Sequence, residues 1–415
     1  MKKINELLTK LITNKEKPNL SFYKDLFNDD FLLLEELKNT EHDSIWHSEG
    51  NVDIHTNMVL TEIYKLIYQE YEDLDIENKK ILILAAVFHD IGKAITTQIV
   101  VIDGKARVVS PRHEEVGANY IAGKLIDYDL KYSTILSIIN IVKYHQIPKL
   151  LIIKNNTEQY KFLDLSNKCS LQLFYLFGIA DIKGRECYDK NQQIEYLELF
   201  KLFSIEYNIF TQIDYNDYIL TFYNSIQNLL LKYKIKNCED VFNFSLYELS
   251  SGTIFTPDEG VAKYLKYNSN AKVIVFSGLS GSGKSSNIKY FENFNIINLD
   301  NIRKELTKSE DDQSQNDEVL RIAYLQLKNN LRNKTNTIFD ATNLRKDFRD
   351  KIFNLCDKYN SLVEIYFFHS SIKKSLLNIK KRERQVSELI LIKQINQLQY
   401  PDLFESRLRT KYIHV

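Results

Sequence analysis

Through the first 235 residues of the 415-residue chain, apolar residues recur at intervals of three and four positions. The run Met58–Leu60, followed by Ile63 and Ile67, shows this spacing, which places apolar side chains on one face of a helix. Helices with one apolar face bury it against one another. The pattern therefore predicts a domain built of successive helices.

Beyond residue 270 the pattern changes to short β-rich runs that alternate with helical stretches. Alternation of this kind predicts a parallel sheet covered by helices. Residues 248–260 are rich in turn formers and predict a passage between domains. We expect a multidomain α and α/β protein with an all-α domain over residues 1–240, a linker over 241–270 and an α/β domain over 271–415. The expected strands are Val273–Phe276, Asn295–Leu299, Thr337–Phe339 and Leu362–Phe368.

The chain as a whole is neutral, but its charges are unevenly distributed. Residues 271–415 hold 25 basic and 17 acidic side chains, and the rest of the chain holds 30 and 38. A basic domain concentrates polyanions near its surface, so any nucleic acid should be drawn chiefly to the C-terminal part. The alternative is a solvated surface without a partner.

Cysteine usage and apolar run length indicate the compartment. The four cysteines are far apart and form no CxxC pair, which favours reduced thiols over a disulfide framework or a zinc knuckle. The apolar run Ile81–Phe88 is far shorter than a membrane span. We expect a cytoplasmic protein without a membrane partner.

The octapeptide Gly278–Ser285, GLSGSGKS, follows the first expected strand and satisfies the full phosphate-loop pattern. Its glycines let backbone N–H groups surround a phosphate, Lys284 neutralises the β/γ oxygens, and Ser285 offers a hydroxyl to Mg²⁺. The alternative is a flexible loop between a strand and a helix. The motif predicts binding of ATP or another nucleoside triphosphate with Mg²⁺, through Gly278, Ser280, Gly281, Ser282, Gly283, Lys284, Ser285 and Ser286.

Residues after the next two strands indicate which class of enzyme the phosphate loop belongs to. Asp300 and Arg303 open a helix directly after the second expected strand, with a carboxylate placed to accept a hydroxyl proton and a guanidinium three residues on. The third strand ends at Asp340 and continues Ala-Thr-Asn, not the Asp-x-x-Gly of a GTPase. A kinase fits best, although either aspartate could instead be an N-cap or turn residue.

A second set of chemical groups lies in the helical part. His89 and Asp90 follow the apolar run Ile81–Phe88, and His55 and Asp181 would complete one centre. Imidazoles and carboxylates are ligands that intermediate divalent metals accept, and a doublet at a helix end presents both from one rigid element. The ligands leave Mn, Co, Ni, Fe and Zn open. The alternative is a set of buried, hydrogen-bonded histidines.

The pattern of His55, His89–Asp90 and Asp181 resembles the HD phosphohydrolase superfamily over roughly residues 45–190. The segment Trp46–His55 looks like the start of the HD domain in tRNA nucleotidyltransferases. The resemblance implies metal-dependent hydrolysis of a phosphoester, in which a bound ion lowers the pKa of water and holds phosphoryl oxygens.

The same resemblance implies further site residues. His113 and His145 match positions that bring a second metal ion in some members, so one or two ions are expected. Contacts with the substrate phosphate are expected from Lys93, Lys183 and Arg185, and His47 could serve as an acid or as a phosphate contact. Each of the four could instead be a surface or packing residue.

Residues 272 to about 405 resemble polynucleotide 5′-kinases. The resemblance implies that Asp300 is the general base, that Arg303 grips a phosphate of the acceptor strand, and that Asp340 and Asn343 help to hold the acceptor. The basic stretch 380–386 resembles the lid of this family, in which a cation closes over the triphosphate. Arg382 and Arg384 are the expected lid arginines, unless they belong to a solvated helix face.

An HD domain followed by a polynucleotide-kinase-like domain resembles the bacterial end-healing family HD-Pnk. The resemblance implies hydrolysis of a 2′,3′-cyclic phosphate or 3′-phosphate by the first domain and phosphorylation of a 5′-hydroxyl by the second, acting on RNA or DNA ends. Two alternatives remain: a nucleotide phosphohydrolase fused to a small-molecule kinase, and an ATP-regulated HD nuclease or sensor. The sequence predicts no particular protein partner.

Overall fold

The chain forms two compact units. A computed structural model describes residues 2–43, 48–211, 217–235, 238–308, 314–381 and 388–414. The units are Met1–Tyr218 and Ile219–Val415. Most of the expected linker 241–270 is helical and groups with the second unit.

The first unit is built mainly of helices, as the apolar spacing predicts. They are α1 (Asn5–Thr13), α2 (Leu20–Phe27), α3 (Leu33–Glu36), α4 (Val52–Lys65), α5 (Ile76–Phe88), α6 (Lys93–Thr96), α7 (His113–Leu125), α8 (Tyr132–Tyr144), α9 (Ile147–Ile153), α10 (Gln159–Ser166), α11 (Leu171–Lys183) and α12 (Lys190–Glu206). From Lys80 onward every residue of α5 is buried, and so is nearly all of α11. These buried stretches are almost wholly apolar, which is typical of central helices.

A two-stranded antiparallel hairpin is an addition to the all-α domain that the spacing predicts. It consists of β1 (Gln98–Ile102) and β2 (Lys105–Val109). Asp103 and Gly104 form the turn with φ angles of 50° and 74°, the left-handed pair of a type I′ turn. Arg107 donates hydrogen bonds of 2.6 and 3.0 Å to Asp43, which fixes β2 against the segment before α4.

The second unit contains nine further helices among the described residues, the first of which, α13, starts just before it. They are α13 (Asp217–Tyr233), α14 (Cys238–Ser250), α15 (Pro257–Asn268), α16 (Lys284–Asn287), α17 (Leu299–Thr307), α18 (Asn316–Arg332), α19 (Lys346–Lys358), α20 (Ile372–Lys380) and α21 (Glu388–Gln397). The Thr256 hydroxyl accepts from the Glu259 N–H at the start of α15, and the Glu259 carboxylate accepts from the Thr256 N–H.

A parallel five-stranded sheet organises the second unit. Its strands are β3 (Lys272–Ser277), β4 (Asn295–Asn298), β5 (Thr337–Asp340), β6 (Leu362–His369) and β7 (Lys411–His414), in the order β4-β5-β3-β6-β7. The four expected strands and their parallel pairing are confirmed, and β7 is an addition. Asp340 pairs in register with both Phe276 and Asn298, so β3, β4 and β5 end level with one another. The loops after these strands therefore begin at the same edge of the sheet.

The state of the cysteines and the apolarity of the helices can be compared with the expectations from the sequence. Cys169, Cys187, Cys238 and Cys356 all carry free thiols. Within the described ranges, no helix combines the length and apolarity needed to cross a bilayer.

Candidate active sites

Six side chains expected to bind metal come together inside the first unit. His55 lies on α4, His89 and Asp90 follow α5, and Asp181 lies on α11. His113 opens α7 and His145 follows α8. His55, His89, Asp90, His145 and Asp181 are buried, and His113 is nearly so. We call these six residues the Asp90 cluster.

The Asp90 carboxylate is shared by two groups of possible ligands. His55, His89 and Asp90 form one group, and Asp90, His113 and His145 form the other, with ligand atoms within 4.8 Å in each. Asp90 Oδ2 lies 3.3 Å from His89 Nε2 and 3.7 Å from His55 Nε2, while Oδ1 lies 3.2 Å from His113 Nε2. Asp181 joins the first group through a 3.1 Å contact between its Oδ1 and His55 Nε2.

Backbone carbonyls orient the imidazoles. Nδ1 of His89, His113 and His145 lies 2.9 to 3.0 Å from the carbonyl oxygen three residues earlier. His55 Nδ1 lies 3.1 Å from the Gly184 carbonyl. Because a carbonyl only accepts, Nδ1 must carry the proton, and Nε2 of each neutral ring is left with its lone pair towards the cluster. The buried Nε2 of His145 has no hydrogen-bond partner among the described residues, which fits a ligand.

A glycine permits the close approach of α7 to the His89–Asp90 doublet. Gly92 follows the doublet, and a Cβ atom on it would lie 2.0 Å from the carbonyl oxygen of His113. Any larger residue would push His113 away from Asp90.

Charged neighbours set the protonation of the cluster. Burial opposes ionisation of Asp90, but Lys93 and His89 hold its pKa well below the usual range. Burial likewise opposes ionisation of Asp181, and Arg185 and His55 outweigh it, so that its pKa is also low. Burial lowers the pKa of His145 to about 3, which keeps this ring neutral. Two ionised carboxylates beside neutral imidazole suit a divalent cation.

The expected substrate contacts do not all lie at the cluster. Lys93 Nζ lies 2.7 Å from Asp90 Oδ2, and an Arg185 nitrogen lies 2.6 Å from Asp181 Oδ2. Both side chains line a pocket of about 520 Å³ that also reaches His113. Lys183 instead extends to Glu70, 3.8 Å away. His47 lies outside the described residues.

Two residues of the cluster's surroundings were missed by sequence reasoning. His42 is buried, with Nε2 4.0 Å from Asp90 Oδ2 and 3.5 Å from Lys93 Nζ. Glu49 Oε1 lies 3.1 Å from His55 Nδ1, and a carboxylate in this position raises ligand basicity. Burial lowers the pKa of His55, but hydrogen bonds to the carboxylates of Asp181 and Glu49 outweigh burial and raise it. The only sequence signal was their closeness to His55.

The phosphate loop has the backbone that its glycines predict. Gly278, Gly281 and Gly283 have φ angles of 145°, 80° and 87°. A Cβ atom on Gly281 would lie 2.4 Å from the Ser375 carbonyl oxygen. The buried Ser282 hydroxyl lacks a hydrogen-bond partner among the described residues, and Lys284 Nζ donates to the carbonyls of Gly278 and Leu279, each at 2.8 Å. The loop thus has polar groups to offer a phosphate.

The expected acceptor residues lie at the same sheet edge. Arg303 NH1 donates to Asp300 Oδ1 at 2.5 Å, with Arg303 largely buried and Asp300 half-exposed. Asn298 donates to Asp340 at 2.6 Å. Burial raises the pKa of Asp340, opposed by Lys284 and Asn298 and supported by Asp300. The charges of both Lys284 and Asp300 therefore act on the Asp340 carboxylate.

Asn343 has a role within the fold. It has a left-handed φ of 43°, and its buried amide donates to the Phe276 carbonyl at 2.7 Å. The Ser277 hydroxyl donates to the Asn343 carbonyl at 3.0 Å. These bonds tie the turn after β5 to the strand that leads into the phosphate loop. Asn343 as a substrate contact stays a prediction.

Helices on either side of the expected lid contact the phosphate loop. Asn378 of α20 donates to the Gly281 carbonyl at 2.9 Å. Gln394 of α21 accepts from the Ser280 N–H and donates to the Ser280 hydroxyl, both at 2.9 Å. The expected lid arginines, Arg382 and Arg384, lie outside the described residues.

Comparisons with known proteins match both parts of the chain. The family model of the HD domain matches residues 54–169, and that of the AAA domain matches residues 273–401. The first segment contains His55, the His89–Asp90 doublet, His113 and His145, and the second begins at the strand before the phosphate loop. No curated protein matches the chain.

Fifteen chains of solved structures also match. One comes from the structure of the Pnkp1/Rnl/Hen1 RNA repair complex and is 22% identical, with a TM-score of 0.29. The match covers 32% of the present chain and 45% of that chain. The chain thus spans less than half the length of that relative.

The two matched domains indicate an enzyme. Their order along the chain, a helical HD domain and then a P-loop domain on a parallel sheet, confirms the resemblance drawn from the motifs. The chain thus combines an HD domain and a P-loop domain in the order typical of HD-Pnk proteins.

Proposed function

We propose that the chain heals broken RNA ends. The first unit removes a 2′,3′-cyclic phosphate or a 3′-phosphate, and the second transfers phosphate from a nucleoside triphosphate to a 5′-hydroxyl. The observation that carries the proposal is that one chain holds both the Asp90 cluster and a phosphate loop with Asp300 and Asp340 at the same sheet edge. RNA cleavage through the 2′-hydroxyl leaves a phosphate on one end and a hydroxyl on the other, and these two activities correct both.

In the first unit, the residues of the Asp90 cluster would hold one or two divalent ions. Bound there, such an ion lowers the pKa of water and polarises phosphoryl oxygens. Lys93 and Arg185 balance the ligand carboxylates Asp90 and Asp181 and form part of the pocket wall. Substrate enters this pocket with its terminal phosphate towards the cluster.

In the second unit, backbone N–H groups of the phosphate loop would hold the triphosphate, and the Ser285 hydroxyl would be a ligand of its Mg²⁺. Lys284 exchanges its two carbonyl contacts for phosphate oxygens. Asp300, half-exposed at the start of the helix after β4, takes the proton of the acceptor hydroxyl, and Arg303 binds a phosphate of the acceptor strand. Arg382 and Arg384 remain the proposed lid cations.

An RNA oligonucleotide with a 5′-hydroxyl and a 2′,3′-cyclic phosphate tests both activities in one tube with labelled ATP, Mg²⁺ and Mn²⁺. The wild-type protein should convert both ends. Lys284→Ala or Asp300→Ala should abolish phosphate transfer and preserve hydrolysis, and His89→Ala should do the reverse. Loss of both activities in one folded variant would contradict two separate sites.

The same assay separates the alternatives. Free nucleosides that compete as well as oligonucleotides would favour a small-molecule kinase. Cleavage inside the strand, together with ATP hydrolysis that needs no acceptor, would favour an ATP-regulated nuclease. A DNA oligonucleotide of the same sequence measures the preference for RNA.

A further inference from the structure

Three cationic side chains line the pocket beside the Asp90 cluster: Lys93, Lys149 and Arg185. The pocket volume of about 520 Å³ is within the range that accommodates small ligands, which is about 300–1,000 Å³. Lys149 lies on α9, four residues after His145. No sequence motif marked this lysine.

Two of the three cations are already paired with ligand carboxylates. Lys93 lies 2.7 Å from Asp90, and Arg185 contacts both oxygens of Asp181 at 2.6 and 2.7 Å. Their charges are therefore balanced inside the protein. Each of them therefore brings little uncompensated positive charge to a substrate, although both keep unused N–H donors.

Lys149 has a different partner. Its ammonium donates a hydrogen bond of 3.2 Å to the side-chain oxygen of Gln193, a neutral group. Among the described residues it forms no ion pair within 4 Å. Because a lysine ammonium carries three donors, two of them remain for a ligand in the pocket.

Gln193 holds this arrangement in place. Its Nε2 donates to both carboxylate oxygens of Asp189, each at 2.9 Å. A carboxylate accepts only, so the amide nitrogen must face Asp189 and the amide oxygen must face Lys149. Asp189 thereby sets the orientation of Gln193, and Gln193 sets the position of Lys149.

The surroundings of Lys149 disfavour its protonated form unless an anion is nearby. Burial lowers the pKa of Lys149 to about 8, and repulsion by Arg185 and Lys93 adds to this effect. Asp181 and Asp189 act in the opposite direction. An anion in the pocket would offset the cost of holding a cation there.

We propose that Lys149 binds a non-bridging oxygen of the phosphate group that the first unit releases, with Gln193 as a positioning residue. The ligand class is a phosphate monoester or its product, inorganic phosphate. The inference rests on the proposed phosphohydrolase role of the first unit. Lys149 is chosen because, unlike Lys93 and Arg185, it does not pair with Asp90 or Asp181.

Titration of the full-length, Mn²⁺-loaded protein with inorganic phosphate tests the contact without turnover. Lys149→Met keeps the length of the side chain and removes the charge, so phosphate affinity should fall by about 10- to 100-fold. Lys149→Arg should stay within about 3-fold of the wild type, because it retains a cationic donor. Lys154→Ala removes an exposed lysine just after α9 and should change nothing.

Metal content, thermal melting and 5′-kinase activity of each variant should match the wild type. Unchanged phosphate affinity in Lys149→Met would overturn the inference, and so would an equal loss in Lys149→Arg at unchanged metal content. A Lys149-dependent phosphate affinity in a protein that leaves RNA 3′-phosphates intact would contradict the proposed function alone. Hydrolysis with unchanged kcat/KM in Lys149→Met would contradict the inference alone.

Discussion

Arg185 and Asp181 form a buried ion pair one helical turn apart, in which one guanidinium nitrogen donates to both carboxylate oxygens. Arg185 is 6% exposed and Asp181 is 3% exposed. Two charges so far from water stabilise the protein only as a pair, and loss of one partner typically costs about 3–5 kcal/mol. The pair therefore links the stability of the first unit to the charge at the Asp90 cluster.

Arg185→Met should lower the stability of the metal-free protein by about 3 kcal/mol, because Asp181 loses its cation. Added Mn²⁺ should restore a larger part of the melting temperature in the variant than it adds to the wild type, since the ion supplies positive charge. Thermal melting with and without Mn²⁺ measures both. Arg112→Met, which removes an exposed pair with Glu115, should change little. Equal melting of Arg185→Met and wild type without metal would contradict this role.

Gly281→Ala should abolish 5′-kinase activity and preserve phosphoesterase activity. The new Cβ would lie 2.4 Å from the Ser375 carbonyl oxygen, so the phosphate loop must move. Gly104→Ala is the matched control, because Gly104 also has a positive φ but has no atom near its Cβ. The two activities are measured on the same preparations. Normal kinase activity in Gly281→Ala would show that the loop tolerates the displacement.

Arg349→Met should destabilise the second unit by about 3–5 kcal/mol. The fully buried guanidinium donates hydrogen bonds to the Glu405 carboxylate and to the carbonyls of Asn343, Leu344 and Gln399, and methionine has no donor to replace them. Kinase activity should be lost at a lower temperature than in the wild type, while phosphoesterase activity persists. Heat inactivation of the two activities, followed in parallel, tests this. Simultaneous loss of both would contradict an effect confined to the second unit.

Glu248→Gln should weaken the acid sensitivity of the second unit. Burial raises the pKa of Glu248, but Lys263, Thr253 and Arg407 outweigh burial and lower it below 4.5. The stabilisation from this carboxylate is thus complete above about pH 4.5 and is lost as pH falls through the lower folded pKa. Urea unfolding should show a less stable variant at neutral pH and a smaller difference near pH 3. A constant difference across this range would contradict the linkage.

Residues fixed by local rules could be predicted from the sequence. The phosphate loop needs its glycines, lysine and hydroxyl at fixed positions in one short segment. The motif therefore predicts the order of strand, loop and helix. The ends of β4 and β5, with Asp300 and Asp340, follow from short β-rich runs. His55, the His89–Asp90 doublet and Asp181 could be grouped by ligand chemistry and family resemblance but not by distance, because their closeness depends on how α4, α5 and α11 pack.

Residues defined by packing alone could not be predicted. Arg349 is a charged side chain on a helix and gives no sign that it is fully buried among carbonyls. Lys149 looks like one more surface lysine until α9 and α12 are placed together. The exposed strand β1 lacks an inward and outward alternation, so the hairpin was not distinguishable from its helical neighbours.

Asp90 faces two ligand groups with opposite oxygens of one carboxylate, and this makes the two positions interdependent. A change that reorients Asp90 for one ion reorients it for the other. An ion bound to one group also alters the electrostatic potential at the other group. Binding of the first Mn²⁺ ion should accordingly change the affinity of the protein for the second, either upward or downward. Selectivity between metals can then diverge only through the ligands that each group has to itself, which are the imidazoles and, in the first group, Asp181.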